Sequence, residues 1–273
     1  MSKLNFRKVP LGDLYRYLRE YLLFLRPAVV TEKGFKFIGI QKMMNSSFEL
    51  DVCALIEQQS ESGTRTFIDV GAHQGYFSVL AATRKMNVIA IEPDPINYKI
   101  LKRNIRINKL DNVRTFNIGL GDKAATLTFY GFSTGVSTEP DWAGNVSKRN
   151  FKVIVEKLDD ILDFHEVVRY PTILKIDVEG FEENVIKGAE NFIKTAQSLL
   201  LIIEITFTKN QKVDEISRSQ AAELVKKLVS WNYFPMEISK NGLLIKLEDH
   251  ILTSLVKGEV QGISGNFAFQ RMN

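Results

Sequence analysis

Acidic side chains stand at or near the ends of four short apolar runs in this chain. Asp69 lies in Thr66 to Val70, and Glu92 closes Asn87 to Ile91. Asp177 and Glu179 follow Ile173 to Ile176, a run broken by Lys175. Glu204 lies near the end of Leu199 to Ile205. Runs of this length and composition read as buried strands. In a parallel sheet, ligands bind beyond the carboxyl ends of the strands. The acids therefore converge on one edge. There, carboxylates can accept hydrogen bonds from a ribose, align a hydroxyl and take its proton, or share a cation.

The turn after Asp69 narrows the ligand. It reads Gly71-Ala72-His73-Gln74-Gly75 and opens a helix at Tyr76. Gly71 permits a sharp turn because it has no Cβ, and Gly75 lets the helix start approach a ligand closely. A dinucleotide fold uses G-x-G-x-x-G to aim N–H groups at a pyrophosphate. Here the middle glycine is missing and Asp69 stands at the mouth. That suits a ligand carrying an ammonium and a sulfonium, and S-adenosylmethionine is the cofactor that fits. Glu92, followed by Pro93, sits where an acid takes both ribose hydroxyls. A nicotinamide fold uses the same position, so Glu92 alone does not separate the two cofactors. Gly121 and Asp122 follow the next strand-like run, Val113 to Leu120. They are expected to read the adenine, with an ordinary turn as the alternative.

The elements that position these groups follow from periodicity. Tyr76 to Arg84, Pro95 to Asn108 and Gln220 to Trp231 carry helical stripes. Strand and helix alternate to residue 206, and Tyr233–Ile238 with Gly242–Leu247 flank the hairpin signal Asn241-Gly242. Ala125 to Phe132 reads as an extra strand, and Asn266 to Arg271 as the last. Ser133 to Asn150, with Trp142, is a polar loop expected to shape the acceptor pocket, with a disordered excursion as the alternative. Residues 1–60 read as an N-terminal extension and 61–273 as the catalytic domain.

Composition sets outer limits. The 273 residues are 45% hydrophobic and 25% charged, which is globular rather than disordered. A net charge of +4 is too small to argue for nucleic acid. A single cysteine, Cys53, excludes an intrachain disulfide or a cysteine-cluster zinc site. The three histidines lack metalloprotease spacing. The N-terminus lacks the apolar core of a signal peptide, and a cytoplasmic protein is the simplest expectation. In residues 1–36, Lys and Arg outnumber Asp and Glu by eight to three. Residues 10–26 carry a leucine stripe there. Two readings stay open: a helix packed on the domain or a second subunit, or one lying on an anionic membrane.

The run from Phe67 to Ser78, Ile91-Glu92-Pro93-Asp94, Leu158-Asp159-Asp160, and Leu174 to Glu182 (LKIDVEGFE) together resemble the FkbM family of S-adenosylmethionine-dependent methyltransferases. The resemblance spans roughly residues 35 to 271. It implies an α/β class I methyltransferase fold, a three-layer sandwich around a seven-stranded, mostly parallel sheet with a C-terminal antiparallel strand. It also implies methyl transfer to hydroxyls of sugars, glycans or related metabolites.

In that reading Asp177 and Glu179 carry the chemistry, with Glu204 next and Lys175 setting the charge of one carboxylate. Asp69, Gly71, Ala72, His73, Gly75, Tyr76, Glu92, Pro93, Gly121, Asp122 and Asp177 hold the cofactor. Should Asp177 and Glu204 face each other, oxygen ligands of this kind suit Mg²⁺ or Ca²⁺ and not zinc. The structural alternatives are a Lys175–Glu204 pair that holds the sheet and Asp177 as a helix cap. Base N-methylation is disfavoured, because Asp177-Val178-Glu179-Gly180 replaces the Asn/Asp-Pro-Pro-aromatic run such enzymes carry. An RNA-directed methyltransferase and a non-catalytic cofactor-fold binding module are the rival functions.

Overall fold

The computed structural model describes residues 15, 18, 22–45, 47–131, 136–138, 149–162, 167–206, 214–257, 259 and 264–272. A two-stranded ribbon, β1 (Val29–Val30) and β2 (Lys36–Phe37), comes first. Helix α1 (Leu50–Glu61) leads to β3 (Thr66–Val70), α2 (Tyr76–Thr83), β4 (Asn87–Ile91), α3 (Pro95–Ile107) and β5 (Val113–Phe116). Strands β6 (Gly119–Leu120), β7 (Ala125–Tyr130) and β8 (Asn150–Glu156) follow, then the short helix α4 (Leu158–Ile161) and β9 (Thr172–Ile176). The rest is α5 (Glu182–Gly188), α6 (Glu190–Thr195), β10 (Leu199–Thr206), α7 (Asp214–Ser230), β11 (Tyr233–Ile238), β12 (Leu244–Lys246), α8 (Asp249–Lys257) and β13 (Ser264–Arg271).

The main sheet has eight strands in the order β12-β11-β13-β10-β9-β3-β4-β5. From β10 to β5 every pairing is parallel. Strand β13 runs antiparallel to both β10 and β11. The hairpin therefore does not close the sheet beside β10, because β13 inserts between them. The eighth strand, β12, folds back on β11 through the turn at Gly242. Helix α8 has no counterpart in the expected elements.

The expected strand Val113 to Leu120 is broken. It leaves the main sheet after Phe116, where the Asn117 side chain donates to the Glu92 and Pro93 carbonyls at 2.8 and 3.1 Å. Gly119 and Leu120 instead pair with β8 in a separate three-stranded sheet, β6-β8-β7.

Side chains alternate across a strand, so each strand feeds two cores. One face buries Ile68, Leu174, Ile176 and Leu201 against Ile186, Phe192 and Leu228. The other buries Phe67, Val88, Ile173 and Ile202 against Phe37, Leu55, Ile56 and Leu80. Residues from Phe35 onward thus belong to the sheet's core. Most of the N-terminal stripe lies outside the described residues. Of what is described, Leu23 is buried, Phe24 sits 5.1 Å from the Arg103 guanidinium, and Tyr15, Leu18, Leu22 and Leu25 are exposed. Among the described residues no helix is long and apolar enough to cross a membrane.

One fully buried polar residue fixes the segment that enters the site. Asn104 on α3 accepts from Ile38 N and donates to Ile38 O and Gln74 O, each at 2.8 Å. One turn on, Asn108 makes the same two bonds to the backbone of Lys36. The two side chains act as a partner strand for residues 36–38. Replacing Asn104 with Ala strands three buried backbone groups, each costing about 1–3 kcal/mol when unpaired. We expect N104A to lose about 3 kcal/mol or more in urea unfolding. A loss below about 1 kcal/mol would remove Asn104 from this role.

Candidate active site

The tips of β4, β3, β9 and β10 open on one cleft of about 160 Å³. Its walls include Gly71, Ala72, His73, Tyr76, Glu92, Pro93, Lys175, Asp177, Glu179 and Glu204. Glu92 and Asp177 therefore face the same hollow. Asp69, Gly75, Gly121 and Asp122 do not line it. Ile118, Gly119 and Leu120 line the cleft where the adenine reader was expected, and Asp122 is exposed. The loop around Trp142 lies outside the described residues.

The glycine turn is built for close approach. Gly71 has φ +82°, and a Cβ there would lie 1.8 Å from the Asp177 carbonyl oxygen. Asp177 N donates in turn to Val70 O at 3.0 Å. Gly71 N and Ala72 N both donate to Ile91 O at 3.0 Å, Gly75 N donates to Ala72 O at 2.8 Å, and His73 N donates to Glu92 Oε2 at 2.7 Å. Four N–H groups of the turn are thus spent inside the protein. A pyrophosphate needs such donors, so this turn is not a phosphate cradle.

Glu92 is buried, and its other oxygen accepts from Asp94 N at 2.8 Å. Burial, then the charge of Asp94, pushes its pKa to about 8 against the hydrogen bonds from Asp94, His73 and Asn97. Asp94 is itself fully buried. It caps α3 through Ile96 N at 2.7 Å and takes both arms of Arg149 at 2.5 and 2.9 Å. The Arg149 guanidinium lies 4.5 Å from the Phe151 ring and also donates to Gly131 O. It thereby bolts the three-stranded sheet to the tip of β4. Burial also holds the His73 imidazole down at about 4, so it is neutral at pH 7.

The other half of the cleft is organised by Lys175. It is 1% exposed, on the face where β9 otherwise carries Ile173. Its Nζ donates to Asp177 Oδ2 at 2.8 Å and lies 4.9 Å from the Phe77 ring centre. Burial alone would lower the ammonium pKa. Asp177, Glu49 and Asp69 outweigh it and hold the group charged. Asp69 pairs in register with Lys175 on the adjacent strand and accepts from Ser78 Oγ at 2.5 Å. Its role in this geometry lies beneath the cleft wall, as a countercharge that also pins α2.

Asp177 and Glu204 face each other closely enough for their carboxyls to couple, one ionised and the other favouring its proton. Burial opposes ionisation of Asp177, but Lys175 and the Glu204 bond hold it below the usual carboxylate range. The Asp177 charge, with burial second, pushes Glu204 up to about 9. Lys175 thus pairs with Asp177 rather than Glu204. Asp177 is not the cap of α5 either, since that helix begins five residues later and has no side-chain cap. Among the described residues no three metal-binding side chains are grouped to hold an ion. An ammonium already occupies Asp177 where a divalent cation would sit, so these residues do not fit one.

Sequence reasoning missed three groups here. Glu49 lines the cleft and accepts from Asn266 Nδ2 at 3.1 Å. Glu182 accepts from Val178 N and Gly180 N at 3.2 and 3.1 Å, holding the loop after β9. Glu179 sits in that loop with φ +54°, and its carbonyl accepts from Ser137 Oγ. Arg149 is the third. Only Glu182 had a signal, its place inside the LKIDVEGFE run.

The strand order, the reversed β13, the tight turn after the first core strand and the acid at the tip of the next define a class I methyltransferase fold. The model of the Methyltransferase FkbM domain matches residues 69–235, and the chain belongs to that family. It is 32% identical over 154 residues to methyltransferase sdnD of Sordaria araneosa, covering 45% of this chain and 60% of that protein. It is 26% identical over 144 residues to Methyltransferase 1 of Beauveria bassiana, covering 45% and 58%. To the hexuronic acid methyltransferase AglP of Haloferax volcanii it is 28% identical over 163 residues, covering 58% and 62%. The matches thus span about three-fifths of these relatives' length.

A carboxyl whose folded pKa lies above its ordinary 4.5 contributes stability below that value and loses it as pH rises to the folded value. Glu92 and Glu204 both do so, with upper limits of about 8 and 9. The opposing His73 window closes by its ordinary 6.5. Tm is therefore expected to fall from pH 6.5 to 9. Glu204→Gln, which keeps a donor for Asp177, flattens that fall. An unchanged slope in the variant would contradict the coupling.

Proposed function

We propose that this protein is an S-adenosylmethionine-dependent O-methyltransferase whose acceptor is a hydroxyl of a sugar, glycan or related metabolite. The observation that carries the reading is the joining of Glu92 and the Lys175–Asp177–Glu204 cluster across one cleft whose glycine turn spends the N–H groups of Gly71, Ala72, His73 and Gly75 inside the protein. The donor set fits a cationic nucleoside. Glu92 already accepts from His73 N and Asp94 N and bonds the Asn97 side chain, which leaves room for one ribose hydroxyl, and ionised Asp177 faces the same space. The apolar wall at Ile118 and Leu120 suits a base. When bound, the cofactor supplies an electrophilic methyl on a sulfonium.

The chain's residues then supply alignment and proton transfer. Asp177 would take the proton of an acceptor hydroxyl aligned against it, readying the oxygen to receive the methyl group that the bound cofactor would supply. Lys175 keeps Asp177 ionised before the step. Glu204, carrying its proton, steadies the pair and orients the acceptor. The name of the Haloferax relative supports a sugar-like acceptor. The Asp177-Val178-Glu179-Gly180 loop supports oxygen over base nitrogen.

Calorimetry with S-adenosylhomocysteine tests the cofactor side. Glu92→Ala should weaken binding about tenfold or more, the loss of hydrogen bonds to a charged group. Asp177→Asn should keep that affinity but lower methyl transfer to a panel of hydroxylated metabolites by about 10²- to 10⁴-fold. Unchanged affinity in Glu92→Ala would overturn the cofactor assignment. Undiminished transfer in Asp177→Asn would overturn the base.

A further inference from the structure

Strand order gives the cleft a direction. Glu92 follows β4, Gly71 follows β3, Asp177 follows β9, Glu204 lies at the end of β10, and Asn266 is its register partner on β13. Neighbouring strands lie about 4.8 Å apart. A ribose held at the tip of β4 would leave the rest of the cleft, over β3, β9 and β10, for its 5′ group and the acceptor. The acceptor would then lie toward β10 and β13. Glu49 is on that side, since its carboxylate bonds to Asn266 at 3.1 Å and its charge acts on Lys175 and Asp177.

Glu49 is also presented in an unusual way. It precedes α1 with φ 38° and ψ 55°, a left-handed conformation rare for a residue with a Cβ. Its side chain faces the cleft wall rather than solvent, and burial raises its pKa. Its holder, Asn266, spends its amide on Glu49, while its Oδ1 is buried with no partner among the described residues. That leaves the Glu49 carboxylate on the cleft wall, held by the amide of a residue two strands beyond the base. Both residues lie outside the span that the family model matches.

Resting on the methyl-transfer reading above, we infer that Glu49 and Asn266 form an acceptor-positioning subsite. It takes a second hydrogen-bond donor on the acceptor, next to the hydroxyl that is methylated. The acceptor class is then a vicinal polyol of the sugar type, held by one hydroxyl at Asp177 and its neighbour at Glu49. Glu49 touches the acceptor, and Asn266, which lies behind the cleft wall, fixes Glu49.

The test compares wild type, Glu49→Gln and Asn266→Ser, with Glu49→Asp as a second variant should Glu49→Gln fold poorly by circular dichroism. S-adenosylhomocysteine affinity is read by calorimetry. Methyl transfer is read with methyl glycopyranosides and their monodeoxy counterparts as probes. Affinity should be equal in all proteins. Wild type should favour the diols at least tenfold in kcat/KM. Glu49→Gln should lower kcat/KM on diols about ten- to a hundredfold, mostly through KM, and leave the deoxy compounds unchanged. A drop in S-adenosylhomocysteine affinity would move Glu49 to the cofactor side and overturn the inference. So would an equal loss on diols and deoxy compounds, or no diol turnover by a wild type that binds S-adenosylhomocysteine. A wild type that binds no S-adenosylhomocysteine would instead overturn the methyl-transfer reading itself.

Discussion

An ammonium buried at 1% exposure on an apolar sheet face is the constraint from which the rest follows. Removing a charge from water costs several kcal/mol unless partners surround it. Lys175 has them on every side. Asp177 bonds it, Asp69 faces it from the adjacent strand, Glu49 approaches from the segment before α1, and the Phe77 ring covers it. Each partner belongs to a different element. The lysine thereby couples β3, β9, α2 and the entry to α1 at one point under the cleft.

That coupling gives the cleft two electrostatic halves. Around Glu92, burial and the neighbouring Asp94 favour a protonated carboxyl, which a hydrogen-bond-donating diol would help to ionise. Around Asp177, the lysine keeps one carboxylate charged and so forces the proton onto Glu204. A carboxylate kept ionised in a partly desolvated site is suited to receiving a proton from a weak acid aligned against it. Arg149 does the matching structural work on the first half, since its bidentate bond to Asp94 carries the three-stranded sheet to the tip of β4.

The parallel strands and their acids were legible because buried runs, glycine punctuation and terminal carboxylates leave a local pattern. Glu92 and Asp177 could be assigned to one edge from that pattern alone. The eighth strand and the insertion of β13 were not legible, because which strand pairs with which is decided by long-range packing rather than by the strands' own residues. Asp69 shows a different limit. Its position at the turn was readable, but whether its side chain pointed to ligand or to Lys175 depended on the register between β3 and β9. Glu49 and Arg149 left no signal at all, since each reaches the site from a segment far away in sequence. Asn104 was equally silent: a polar residue on a helix reads as solvent-facing until the strand it satisfies is known.

The central claim is that a nucleoside grips the tip of β4 while the transferred group lies over Lys175 and Asp177. A crystal structure with S-adenosylhomocysteine tests it most directly. The account predicts the ribose hydrogen-bonded to the Glu92 carboxylate and the sulfur turned toward Asp177. A nucleoside bound away from Glu92, or a sulfur turned away from Asp177, would contradict it.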